Sequence, residues 1–173
     1  DLSRFTAIVV GPRAYQANQT LIDNNEYLLA YVRNGGRMVV QYGQAEMQRP
    51  GIMPYPITLS QPAARVTDEN AAVTFTDPKS PLLNAPNKIT QDDFTGWVQE
   101  RSTYMPTTFD SHYRSMLAMN DPGEQSNRAG ILVAPYGRGT YVYVTLALFR
   151  QLPAGVAGGA RIFANLLGGN TVR

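Results

Sequence analysis

The chain has 173 residues, of which 43% are apolar and 16% charged, with a formal net charge of +2. That length suits one domain able to bury a core, and the composition excludes a disordered polymer. The 15 Lys and Arg and the 13 Asp and Glu are scattered, so no basic run tracks a nucleic-acid backbone.

No apolar run approaches the ~20 residues of a membrane helix. The chain opens Asp1-Leu2-Ser3-Arg4-Phe5 directly before a strand, with no signal peptide, and so reads as a fragment of a longer chain. Phe5 to Val10 is a nearly continuous apolar run closed by Gly11-Pro12, a pattern that predicts a strand buried on both faces of a parallel sheet. A helix follows, with Leu21, Leu28 and Val32 on one face, widened by Ile22 and Leu29. Asn18 or Thr20 can cap it, and Asn34-Gly35-Gly36 supplies a left-handed stop. Arg37 to Tyr42 is the next strand, completing a parallel strand–helix–strand unit.

Residues 44–66 hold Pro50, Pro54, Pro56 and Pro62 and predict a long irregular excursion. Ala71 to Thr76 reads as a short strand, Asp77 to Pro81 as a turn, and Leu82-Leu83 as core anchors. Thr90 to Phe94 reads as a short helical turn and Trp97 to Arg101 as a strand. Ser115 to Met119 is another strand. Gly130 to Ala134 and Thr140 to Thr145 flank a hairpin at Pro135-Tyr136-Gly137-Arg138-Gly139. A last helix over residues 155–167 buries Val156, Ile162, Phe163, Leu166 and Leu167. No internal repeat or second domain is visible, so residues 1–173 form a single domain.

The chain has no Cys and one His. That excludes disulfides and thiolate metal sites and suits either redox compartment. His112 sits in a polar loop without a Ser or Cys in a nucleophile-elbow context, and reads as a surface residue. Gly137-Arg138-Gly139 lies between two strands and reads as a turn, not a phosphate cradle. The pairs Asp68-Glu69 and Asp92-Asp93 lack a neighbouring His, and Asp92-Asp93 suits a helix start better than a metal.

Two clusters remain. Strand alternation puts Trp97 and Arg101 on one face and Glu100 on the other. An aromatic beside a charged fork suits a sugar or another polar ligand, and equally a core Trp with an ion pair. Gly11 to Tyr15, with Arg13 and Tyr15, and Gln41-Tyr42-Gly43-Gln44 occupy the carboxyl ends of adjacent parallel strands, the edge where open α/β sheets bind ligands. Arg13 and Tyr15 could equally hold an interface to a missing segment.

Ala7-Ile8-Val9-Val10-Gly11, the amphipathic helix, and Asn34 to Gly43 resemble the class I glutamine amidotransferase-like fold, including its ThuA-like branch. Over nearly the whole chain, runs such as Asp93-Phe94-Thr95-Gly96-Trp97-Val98-Gln99-Glu100-Arg101, Met119-Asn120-Asp121-Pro122-Gly123-Glu124 and Phe149-Arg150-Gln151-Leu152-Pro153-Ala154-Gly155 look like the C-terminal region of bacterial LmbE-like (PIG-L family) deacetylases. The resemblance implies an α/β, flavodoxin-like three-layer sandwich: a mainly parallel sheet with an added antiparallel β-rich C-terminal part. The family's usual strand ahead of Phe5 is missing from this sequence, in keeping with a fragment. It places Gln41 where amidotransferases carry their Cys, and Arg150 near the position of their His, so glutamine hydrolysis is not expected. It also implies no cofactor in this domain, with zinc confined to a separate deacetylase domain of the parent. The expected role is a non-catalytic accessory domain that packs on the parent's catalytic domain, presents a carbohydrate ligand, or forms homo-oligomers, as related domains of some glycosidases do. The alternatives are an active hydrolase or amidotransferase relative with a site not recognisable in the sequence, or a pure oligomerisation domain. The candidate ligand residues are Arg13, Tyr15, Gln41, Tyr42, Trp97, Glu100, Arg101 and Arg150.

Overall fold

The computed structural model describes residues 1–168. Ala7–Val10 (β1) and Arg37–Gln41 (β2) pair in parallel, from Ala7 opposite Arg37 to Val10 opposite Val40. The single helix expected between them is three pieces: Ala14–Ala17 (α1), Gln19–Asp23 (α2) and Asn25–Arg33 (α3). Asn18 caps α2 by accepting from Leu21 N at 3.2 Å. Asn24 interrupts the run, its side-chain amide donating back to Thr20 O at 2.8 Å. The expected stop is present. Gly35 takes φ 112°, and the amides of Gly35 and Gly36 bond Val32 O and Tyr31 O.

The later strands are Ile57–Val66 (β3), Val73–Phe75 (β4), Ser102–Phe109 (β5), Arg114–Met119 (β6), Asn127–Tyr136 (β7) and Gly139–Val144 (β8). The main sheet runs β1-β2-β8-β7-β6-β4, and β3 pairs with β5 in a separate antiparallel sheet. Only β1–β2 and β2–β8 are parallel; β8–β7, β7–β6 and β6–β4 are antiparallel. The expected flavodoxin-like, mainly parallel sheet is therefore wrong. The reason is the hairpin. Tyr136 pairs with Gly139 across the two residues Gly137-Arg138, so β7 must run against β8, and the antiparallel strands continue the sheet itself instead of adding to it.

Three further expectations need correction. Residues 57–66, expected to be irregular, form the long strand β3. Pro62 falls between Leu59 and Ala64, where the register shifts, and a two-stranded ribbon tolerates a missing donor there. Residues 97–101 are not a strand, which begins only at Ser102. β1 is not buried on both faces. It is an edge strand, and Val9 is 39% exposed.

Helices cover both faces of β2 and β8. Met38, Val40, Tyr141 and Tyr143 pack with Leu29 and Val32 of α3, each worth about 1.5–3 kcal/mol on full burial. Val39, Val142 and Val144 face the other way, toward Leu82, Leu83, Phe94 and the helix Ala157–Gly168, whose Ile162 and Leu166 are fully buried. Leu82 and Leu83 lie in the short helix Pro81–Asn84 (α4); Leu148–Gln151 is α5 and Ala157–Gly168 is α6.

Close backbone approach fixes α6. A Cβ on Gly158 would lie 1.7 Å from Asp93 O. Gly158→Ala is therefore expected to cost about 1–3 kcal/mol in urea unfolding, whereas Gly11→Ala, with open space around it, should change stability by less than about 0.5 kcal/mol.

Asp121 ties the end of β3 to the loop after β6, accepting from Thr67 N, Thr67 Oγ1 and Asp68 N. Burial pushes its carboxyl up, but those donors outweigh it and hold it below the ordinary carboxylate range. A depressed folded value means the stabilisation is present above the unfolded pKa of about 4 and fades as pH falls through the folded value. The stability gap between wild type and Asp121→Asn should thus be largest near neutrality and close in strong acid, measured by urea unfolding across pH.

Candidate functional site

Three strands deliver their carboxyl ends to one edge of the sheet. The chain leaves β1 through Gly11-Pro12 into Arg13, whose φ of 57° turns it back so that its amide donates to Tyr42 O at 2.8 Å. The chain leaves β2 at Tyr42, held by Tyr42 N to Val144 O at 2.8 Å. β8 runs out into α5, which carries Phe149 and Arg150. Across these exits passes the segment from Glu100 to Tyr104, pinned by Ala147 N to Arg101 O and Thr103 N to Thr145 O.

Tyr42 is the centre of the site. Its ring stacks on Tyr104 at 5.4 Å and tilts against Phe149 at 5.7 Å. Burial pushes its hydroxyl pKa up and the Glu100 carboxylate adds to that, while Arg13 and Arg150 oppose it. Tyr42 therefore keeps its proton at neutral pH and is equipped to donate a hydrogen bond, not to act as a nucleophile. Glu100 is buried between Arg150, at 2.9 Å, and Arg65, at 3.5 Å, and Arg150 lies over the Phe149 ring at 4.9 Å. A chain of side chains closes the rim: Arg13 Nε donates to Gln16 Oε1, Gln16 Nε2 to Gln44 Oε1, and Gln44 Nε2 to Tyr104 OH, at 2.7, 2.9 and 2.6 Å.

Among the described residues, the non-glycine residues with positive φ are Arg13, Gln99 and Tyr104. Arg13 and Tyr104 belong to this rim, and Gln99 is the turn that leads into Glu100. Such backbone costs on the order of 1–3 kcal/mol per residue and persists where the surroundings over-determine it, commonly at functional sites.

The structure thus brings together Arg13, Tyr42, Glu100 and Arg150 of the candidates, and leaves the other four elsewhere. Tyr15 is a core residue: its hydroxyl donates to Asn25 Oδ1 at 2.5 Å, and Asn25 in turn donates to Gly51 O and Ile52 O. Gln41 lies on the Val39 face of β2 by alternation, away from Tyr42's cluster; it is 9% exposed, and no donor among the described residues reaches its Oε1. Trp97 is buried and donates from Nε1 to Asp93 O at 2.9 Å. Arg101 is a buried cation. Its Nε donates to Ala71 O at 3.1 Å, it also bonds Phe94 O, and its guanidinium lies over the Phe94 and Trp97 rings. The expected division of Trp97 and Arg101 from Glu100 holds, but a turn at Gln99, with φ 67°, produces it instead of strand alternation.

Gln16, Arg65, Tyr104 and Phe149 escaped the sequence reading as ligand candidates. Only Gln44, inside the strand-end segment already singled out, carried a signal. His112 pairs with Asp110 at 2.6 Å and stacks on Tyr55 at 4.0 Å. Tyr55 bonds Pro135 O, where β7 meets the start of β8, so His112 is at the opposite end of the sheet. Asp93 accepts from Thr90 N and Arg161 Nε, the helix-start role expected of it. Among the described residues no three His, Asp or Glu side chains converge as a metal group.

No protein-family model matches the sequence, and no curated protein matches it. Among solved structures, the fold is similar to a cytoplasmic protein from Salmonella typhimurium, with 14% identity and a TM-score of 0.63 over 96% of this chain and 72% of that one. It is also similar to part of a β-galactosidase from Rahnella sp. R3, with 16% identity and a TM-score of 0.51 over 96% of this chain and 24% of that one. At these identities the likeness establishes a shared fold alone. Neither neighbour is described as an amidotransferase or a deacetylase, so that resemblance rests on the sequence runs.

Core and rim guanidiniums should separate in a stability experiment. Arg101→Leu strands two buried carbonyls and is expected to cost about 2–3 kcal/mol. Arg150→Ala strands no backbone carbonyl and leaves the buried Glu100 carboxylate with Arg65 at 3.5 Å, so it should cost less, about 1–2 kcal/mol. Equal losses on urea unfolding would contradict this assignment.

Proposed function

We propose that this chain is a non-catalytic accessory domain of a longer hydrolase, and that its Tyr42 rim presents a polar, sugar-like ligand. The observation that carries the reading is the convergence of Arg13, Glu100, Tyr104, Phe149 and Arg150 on Tyr42 at the carboxyl ends of β1, β2 and β8. Tyrosine rings with a fringe of forked donors are the chemistry of hydroxyl recognition. Two guanidiniums, those of Arg65 and Arg150, hold the Glu100 carboxylate, and the Arg13 guanidinium borders the same tyrosine. Arg13 has no acidic partner within 4 Å among the described residues, which favours a sugar carrying an acid group.

The non-catalytic part is supported by chemistry. The hydroxyls of the aromatic cluster are tyrosines, Ser102 and Thr103 of the crossing segment are buried with Ser102 Oγ against Thr145 Oγ1, Gln41 offers an amide, and His112 is at the far end. The accessory part is supported by the occurrence of this fold within 24% of a longer β-galactosidase chain. An LmbE-like deacetylase is the parent that the sequence runs suggest, with any zinc held in its separate domain. Docking against the rest of such a parent is supported by the apolar exposure around β1: Phe5 is 45% exposed, Val9 39% and Tyr27 70%, beside a groove of about 1100 Å³ between the N-terminal segment and α2–α3.

Glucuronate is expected to produce saturable amide shifts at Arg13, Gln44 and Tyr104 in nitrogen–proton correlation spectra, with a weaker response to glucose. Arg13→Ala should weaken glucuronate binding about tenfold, or about 1.4 kcal/mol. The same preparation should release no ammonia from glutamine. Glutamine-dependent ammonia would overturn the non-catalytic reading, and shifts absent from the rim would overturn the ligand.

A further inference from the structure

Buried carboxylates in this fold come with a cation, with one exception. Asp93 has Arg161 at 2.7 Å, and Glu100 has Arg150 at 2.9 Å. Glu46 is 7% exposed, yet no Lys, Arg or His lies within 4 Å of its carboxylate among the described residues. A buried carboxylate without a counter-charge is expensive, and it is retained where something else supplies the charge.

The local fold holds Glu46 in place. It sits in the 3-10 turn Ala45–Gln48, just past the end of β2, and its Oε1 accepts from Gln44 N at 2.8 Å. A Cβ on Gly43 would lie 2.9 Å from Glu46 Oε1 and 2.5 Å from Met47 Cγ, so the glycine is what lets this turn fold over the strand exit.

Glu46 lines a cavity of about 320 Å³ together with Tyr15, Gln16, Gln19, Gln44 and Arg49. Each of its amide nitrogens already gives one bond: Gln16 Nε2 to Gln44, Gln44 Nε2 to Tyr104, and Gln19 Nε2 to Asp23. The Arg49 guanidinium also lines the cavity, but more than 4 Å from the Glu46 carboxylate, so the negative charge at the Glu46 end has no counter-charge in contact with it. That end of the wall wants a donor-rich cation. A hard metal ion needs several oxygens in its coordination sphere, and no other acidic side chain lines this cavity. A volume near the lower bound of ligand pockets suits a small organic molecule.

We propose that this cavity binds a protonated primary amine, with its ammonium group on the Glu46 carboxylate. Gln16 and Gln44 border both this cavity and the Tyr42 rim, but the amine needs no ligand at the rim.

The test uses the 173-residue chain and two probes, ethanolamine and its uncharged N-acetyl counterpart. Saturable shifts at the amides of Gln19, Ala45 and Glu46 are expected with ethanolamine only. Glu46→Gln keeps the acceptor for Gln44 N but removes the charge, and should weaken ethanolamine at least tenfold. Absence of saturation with ethanolamine, equal binding of the acetylated probe, or undiminished binding by Glu46→Gln would each overturn the proposal. Should that variant fold poorly, the two probes on the unaltered chain still decide. Shifts confined to Arg13, Tyr104 and Arg150 would also overturn it, because those report the rim and not this cavity.

Discussion

Strand β8 is the constraint on which the architecture depends. Every one of its residues is buried, and it alone joins a parallel neighbour, β2, to an antiparallel one, β7. Its position is set at its start, where the hairpin turn presses on the end of α3. Cβ atoms on Gly137 and Gly139 would come within 2.5 Å of Arg33 O and 2.0 Å of Val32 O. Arg138 N and Thr140 N donate to Arg33 O and Gly36 O, so the turn also satisfies carbonyls that the helix end leaves free. A larger residue at either glycine would move β8 away from β2, and with it the strand exits that build the Tyr42 rim.

Charge inside the molecule is handled in two ways. Arg101 is paired with carbonyls and aromatic faces deep in one core, where removing it would leave acceptors without donors. Glu100, the preceding residue, faces the rim and is held by side chains that are themselves partly in water. The turn at Gln99 separates the two roles. Adjacent residues thus serve stability and recognition through opposite sides of one short segment.

Much of the local structure was legible because local rules decide it. Gly35-Gly36 ends α3, Gly137-Arg138 makes the hairpin, and Asp93 closes a helical turn, each through contacts within a few residues. The sheet's direction was not legible, because a short strand–helix–strand unit says nothing about what pairs with its second strand. Proline density disguised β3, since a strand in a two-stranded ribbon can lose a donor that a central strand cannot. Of the site, Arg13 and Tyr42 followed from the rule that ligands gather at strand ends. Tyr104 and Phe149 had no such signal: Tyr104 lies within a strand of the other sheet, and Phe149 was read only as a neighbour of Arg150. Trp97 and Arg101 misled because composition cannot separate a cation stacked in a core from one stacked at a surface.

The two ends of the main sheet are guarded unequally. At one end β4 has only three residues, too short to template much pairing. At the other end β1 turns a row of amide and carbonyl groups outward, with Val9 and Phe5 beside it and the Arg4 guanidinium lying over the Phe5 ring. A solution of the isolated chain therefore carries an adhesive flank, open to any extended segment that meets it, another molecule of the same kind included.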